Sequence, residues 1–250
     1  MYIQYCFMPM VHLLPGCRYH RLQMNQKTEN TIVKLPDGLQ DWIESSLATH
    51  NHILAKSNQG TVLLYEQNGL KLIVKSAMGR GAVRKARQAT LEREYQAYTK
   101  LNGIAGIPAC YGFLDQQYLL MEFIEGVPYR QGQWVDEETR TLWFDQLLTI
   151  IQAFHERGVS HGDLKSKTNL IAGADGKPYV IDFGTSFIGK DGFHPINNHF
   201  FEFGKRLDIN AWVKHKYRGK YGEASEADKK LLDYSRLEYW VRRARGRPMH

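Results

Sequence analysis

Three short segments rich in apolar and β-branched residues, His52 to Lys56, Thr61 to Gln67 and Leu70 to Ser76, predict antiparallel strands, and Gln67-Asn68-Gly69 supplies the hairpin turn between the last two. The pattern then becomes helical from about Ala82 to Leu101, where Leu91, Tyr95, Tyr98 and Leu101 recur at core-facing spacing before Asn102-Gly103 ends the run. Ala109 to Leu114 and Gln117 to Phe123 read as two more strands, and Glu125-Gly126-Val127-Pro128 interrupts the pattern like a hinge. A second strong helix is expected from about Asp136 to Arg157, with Leu142, Leu147, Leu148, Ile151 and Phe154 on its inward arc and Gly158 closing it. Short strands at Leu170-Ile171 and Tyr179 to Ile181 flank a turn at Gly173 to Gly176. A Gly-, Asn- and Pro-containing segment to about Asn198 precedes two expected helices, about Phe201 to Tyr217 and Glu226 to Arg245. The reading is α+β: residues 1–50 an N-terminal extension, 51–124 a strand-rich first lobe, 125–250 a mainly helical second lobe.

Composition narrows the class without naming it. An apolar share of 43% and a charged share of 24% over 250 residues suit a folded chain with a substantial core. Cys6, Cys17 and Cys110 are odd in number and lack metal-like spacing, which points to a reducing, cytoplasmic setting. No apolar run reaches the roughly 20 residues of a spanning helix. The first 17 residues lack the basic start of a secretory leader, although Leu14-Pro15-Gly16-Cys17 faintly resembles a lipid-attachment box. Charge is uneven: residues 205–250 hold thirteen Lys/Arg against six Asp/Glu, the whole +7 of the chain. Such an end suits an anionic partner, whether acidic headgroups, phosphorylated sugars or nucleic acid, or else a solvated helical surface. Basic residues interleaved with Trp212, Tyr217, Tyr239 and Trp240 fit a peripheral membrane surface, with those aromatics in a core as the other reading. No nucleic-acid module is recognisable.

The chemistry concentrates in His161-Gly162-Asp163-Leu164-Lys165, Asn169 and Asp182-Phe183-Gly184. Phosphoryl transfer needs a carboxylate near the acceptor hydroxyl, oxygen ligands for Mg²⁺ and a cation on the phosphates. Asp163 suits the first role, Asn169 and Asp182 the second, and Lys165 can screen the transferring group; His161 braces the loop. Lys75 ends an apolar strand, where a bare ammonium would be costly, so it needs partners. Phosphates and Glu94 on the next helix would supply them, Glu92 being the neighbouring choice. The segment from Ser57 to Gly60 can cover phosphates with backbone N–H groups.

In that order, and with Phe154 to His161 as lead into the loop, the chain resembles the protein-kinase-like superfamily from about His52 to Gly184. The resemblance implies a two-lobed fold with ATP and Mg²⁺ in the cleft, Lys75 on the phosphates and anchored by Glu94, Gly60 in the phosphate loop, and Glu122, Phe123 and Ile124 in the adenine hinge. It makes Asp163 the base and Asn169 and Asp182 the metal ligands. Three departures qualify it. Five residues rather than the usual four separate Asp163 from Asn169, which a bulge in the loop would absorb. Gly162 stands where many regulated protein kinases carry an Arg that pairs with a phosphorylated loop, which suggests constitutive activity. No Ala-Pro-Glu follows Gly184, and 66 residues remain. The tail resembles compact bacterial kinases of the lipopolysaccharide-core group, implying a Kdo or heptose hydroxyl on an anionic, membrane-associated acceptor. A Ser/Thr protein kinase and a pseudokinase binding module are the alternatives.

Overall fold

In the computed structural model, which describes residues 35–57 and 60–233, helix α1 (Leu39–Thr49) precedes strands β1 (Ile53–Ser57), β2 (Gly60–Gln67) and β3 (Leu70–Ser76). The β2–β3 hairpin closes through Asn68 and Gly69, both at positive φ (52° and 77°), the geometry that matches the twist of paired strands. Helix α2 (Gly81–Leu101) then leads to β4 (Cys110–Leu114) and β5 (Tyr118–Glu122). The five strands form one antiparallel sheet in the order β1-β2-β3-β5-β4.

Side chains alternate across this sheet. Leu63, Tyr65, Leu72, Val74, Tyr118 and Leu120 face Leu39 and Ile43 of α1, forming a core on the outer side. Each fully buried Leu or Val there contributes about 1.5–3 kcal/mol. One step along β3 from Val74 the chain points the other way, so Lys75 lies on the face that α2 covers.

The second half continues with β6 (Gly126–Pro128), a 3-10 turn at Tyr129–Gln131, α3 (Glu137–Glu156), β7 (Val159–Ser160), a 3-10 turn at Lys167–Asn169, β8 (Leu170–Gly173), β9 (Pro178–Val180) and β10 (Phe187–Ile188). Helices α4 (Pro195–Lys216) and α5 (Glu226–Lys229) complete it. Two small antiparallel sheets, β6-β8-β9 and β7-β10, fix the ends of the loops that carry the chemistry. Asp136 caps α3, its Oδ1 accepting the Thr139 N–H at 2.6 Å, and Gly158 leaves the helix at φ 72°.

Three sequence expectations need correcting. Leu142 is 57% exposed; it lies five residues before Leu147, which turns it about 140° away from the buried face. Trp143, Phe144 and Ile150 take its place in the core with Leu147, Ile151 and Phe154. Helix α4 begins at Pro195, not Phe201, because proline is well suited to a first helical turn. The helix expected over about Glu226 to Arg245 is broken after Lys229, and its part beyond residue 233 lies outside the described residues. Of the two readings of Trp212, the core one is borne out: it is 1% exposed and its Nε1 donates to the Phe144 carbonyl at 2.7 Å. Tyr217 donates its hydroxyl to Asp228 at 2.6 Å, and Lys216 pairs with Asp145 and Asp228, both at 2.8 Å. Tyr239, Trp240, Cys6, Cys17, Asn58 and Gln59 lie outside the described residues. No helix among the described residues is long and apolar enough to cross a membrane.

Candidate active site

The strand position that turns Lys75 toward α2 also gives it company. Its Nζ lies 2.5 Å from Glu94 Oε1 and 3.4 Å from Asp182 Oδ1. Glu94 shares the buried stripe of α2 with Leu91, Tyr98 and Leu101, whereas Glu92 is exposed and faces Gln88. Helical spacing therefore decides between the two glutamates. Burial pulls the Lys75 ammonium down, but the carboxylates of Glu94 and Asp182 outweigh it and raise the group above the usual lysine value. Burial holds the Glu94 carboxyl above its usual value, with Lys75 pulling the other way. A charged lysine thus stands between two carboxylates.

Asp182 has a left-handed backbone, φ 69° and ψ 68°, rare for an aspartate and found where surrounding structure imposes it. Its N–H donates to the Tyr98 hydroxyl at 3.1 Å. Phe183, fully buried, packs against Tyr98, Phe154 and His161 at ring separations of 5.2, 5.6 and 4.7 Å. These contacts tie the turn to α2 on one side and α3 on the other.

The loop from His161 is fixed from within. His161 is fully buried, and since a carbonyl only accepts, its Nε2 donates to Ile181 O at 2.9 Å. Its Nδ1 then accepts the Asp163 N–H at 3.3 Å, so the imidazole braces the loop. Asn169 is buried, and its Nδ2 donates to the Asp163 carbonyl at 3.1 Å. A 3-10 turn, Lys167–Asn169, ends the loop, and Leu170 continues into β8. Asn169 O accepts the Ile181 N–H at 3.0 Å, which sets the Asp163 loop beside the strand that leads into Asp182. Lys165 is exposed.

The hinge residues divide. Glu122 is bound to the start of β4, its N–H donating to Ala109 O and its Oε2 accepting the Ala109 N–H, both at 2.9 Å. Phe123 and Ile124 are half-buried, and the Ile124 N–H has no backbone partner among the described residues. Gly60 adopts φ 149°, and a Cβ there would sit 2.2 Å from the Ser76 carbonyl oxygen. Its glycine is required by the close pass of β2 over the end of β3, whatever else the neighbouring loop does. As a metal site, the Asp182 carboxylate and Asn169 amide oxygen are hard donors, and among the described residues no group of three or more His, Cys, Asp or Glu could hold an ion alone. That donor set fits Mg²⁺, which takes one or two protein oxygens and completes its shell with phosphates and water.

Asp208 is the residue whose part the sequence reading missed. Fully buried on α4, its Oδ2 accepts from His161 N at 2.8 Å and lies 3.0 Å from His155 Nε2, while its Oδ1 accepts from Gly162 N at 2.9 Å. A signal existed: Gly204, Asp208, Ala211, Trp212 and His215 recur at helical spacing, placing a carboxylate inside an apolar stripe where it must find donors. His215, 1% exposed, spans from the Tyr129 hydroxyl (2.7 Å to Nδ1) to the Leu164 carbonyl (2.9 Å from Nε2). Burial lowers its pKa to about 4, so the ring is neutral. Arg140, also buried, donates to the His215 and Lys216 carbonyls at 3.0 and 2.7 Å and so caps the end of α4.

Residues 67–203 match the RIO domain. Among curated proteins, the chain is 30% identical over 81 residues to serine/threonine-protein kinase D of Synechocystis, covering 31% of this chain and 16% of that protein. It is 31% identical over 130 residues to CBL-interacting serine/threonine-protein kinase 21 of Arabidopsis thaliana (50% and 31%) and 30% identical over 103 residues to the probable serine/threonine-protein kinase PknB of Lactococcus lactis (38% and 16%). The chain thus spans less than a third of the length of each of these relatives. Matched over more than half its own length, it belongs to the RIO domain family and so to the protein-kinase-like superfamily.

Proposed function

We propose that the protein is an ATP- and Mg²⁺-dependent kinase that transfers the γ-phosphate to a hydroxyl, with serine or threonine of a protein as the favoured acceptor. The observation that carries the reading is the charged Lys75 held between Glu94 and Asp182, facing a loop in which Asn169 grips the carbonyl of Asp163. Lys75 holds the phosphates and Glu94 keeps Lys75 aimed. Asp163 orients the acceptor hydroxyl and takes its proton. Asp182 and Asn169 hold Mg²⁺, which neutralises phosphate charge. The Ile124 N–H is the donor offered to the adenine. Lys165, two residues beyond the base, supports the Ser/Thr acceptor, as do the serine/threonine kinases among the relatives.

A second acceptor, a lipopolysaccharide core sugar, is favoured by one observation: α4 begins eleven residues after Gly184, leaving little chain for a peptide platform. Incubation with γ-labelled ATP, Mg²⁺ and a panel of core oligosaccharide, small alcohols and generic protein substrates tests both. Label in protein, lost in Asp163→Asn and Asp182→Asn, is the expected result; label in oligosaccharide alone selects the second acceptor. Absence of Mg·ATP binding by the wild type would overturn the kinase reading and leave a binding module.

A further inference from the structure

The two 3-10 turns beside the Asp163 loop carry cations and no carboxylates of their own. The segments that hold them, residues 126–135 and 164–173, contain Arg130, Lys165 and Lys167 and no Asp or Glu, with Glu125, Asp136 and Asp163 flanking them. Their 3-10 turns, Tyr129–Gln131 and Lys167–Asn169, pack against each other. Arg130 and Lys167 are exposed, and neither forms an ion pair among the described residues, although exposed basic residues elsewhere, such as Lys177 and Lys220, do.

Arg130 is also held in place. Its Nε donates to the Tyr129 hydroxyl at 3.0 Å, Tyr129 donates to His215 Nδ1, and His215 Nε2 donates to Leu164 O, the residue after Asp163. A chain of three hydrogen bonds therefore sets the guanidinium relative to the loop and leaves its terminal nitrogens free for a partner. The positive field is felt in the interior as well: Lys214, Arg130 and Lys167 all disfavour protonation of His215, beneath the much larger effect of its burial.

The geometry points to an acidic peptide as acceptor: a Ser or Thr whose flanking residues carry carboxylates or phosphate that dock on Arg130 and Lys167. The inference rests on the kinase reading above and narrows its substrate. Charge complementarity selects the occupant, because a basic or neutral peptide would leave both cations unpaired or repelled.

The test uses three peptides that differ only in the residues flanking one Ser: Asp, Ala or Lys. Wild-type kcat/KM should favour the Asp peptide over the Ala peptide by about tenfold, with the advantage shrinking from about 0.05 M to about 0.5 M salt. In the double variant Arg130→Glu, Lys167→Glu the order of the Asp and Lys peptides should invert; a ratio of two peptides in one protein cancels any general loss of activity. Equal rates for all three, a preference for the Lys peptide, or label entering only core oligosaccharide would overturn the acidic-peptide acceptor. Direct titration of the wild type with Mg·ATP separates these outcomes from failure of the kinase reading, which shows as no binding at all.

Discussion

Glu94 and Asp208, the two most deeply buried carboxylates among the described residues, are neutralised in opposite ways. Glu94 meets a single mobile cation, Lys75, which also reaches Asp182. Asp208 meets two backbone N–H groups of the loop and the ring of His155. A lysine on a flexible stem can shift toward a nearby phosphate, whereas backbone amides locked in a turn cannot. The Lys75 side can therefore exchange partners, whereas the loop side is held still.

The largest test of that contrast is Asp208→Ala. It strands two buried amides and should cost about 3–5 kcal/mol, read from the denaturant midpoint, with faster hydrogen exchange at His161 and Gly162. A loss below about 1 kcal/mol would break the comparison. Next is His215, neutral when folded with a pKa near 4. Its unfolded form takes a proton below about pH 6.5 that the folded form refuses, so stability present above that pH should fall by about 3 kcal/mol on acidification to pH 4. Subtracting the profile of His215→Gln isolates the effect; identical slopes would mean that the ring is not held neutral. Smallest in stability is Glu94→Gln, expected to move the midpoint by only about 1 kcal/mol while lowering kcat/KM for Mg·ATP by about 10- to 100-fold. A large stability loss with unchanged kinetics would reverse the roles of the two carboxylates.

What was legible beforehand follows the range of the physics. The Asn68-Gly69 turn, the strand ending at Lys75 and the choice of Glu94 over Glu92 rest on periods of two and 3.6 and on local backbone sterics. The loop motif was legible because its members lie close in sequence. Hidden were the pairings across long separations: Asp208 with Gly162, Tyr98 with Asp182, His215 with Leu164. No local rule ties a helix residue to a loop some fifty or more positions away. Trp212 shows the related difficulty, since a tryptophan among lysines reads as interface or core until its indole N–H finds the Phe144 carbonyl.

Gly162 bears on how such a protein can be governed. It sits at φ 78°, and a Cβ there would lie 3.0 Å from the Thr185 carbonyl oxygen and 3.1 Å from the Phe187 ring. A side chain here would strain a left-handed backbone and press on the Thr185 carbonyl and the Phe187 ring, so an arginine receptor for a phosphorylated segment is costly to install unless the Phe183–Thr185 turn and that ring give way. The shape of the loop thus weighs against control by that route.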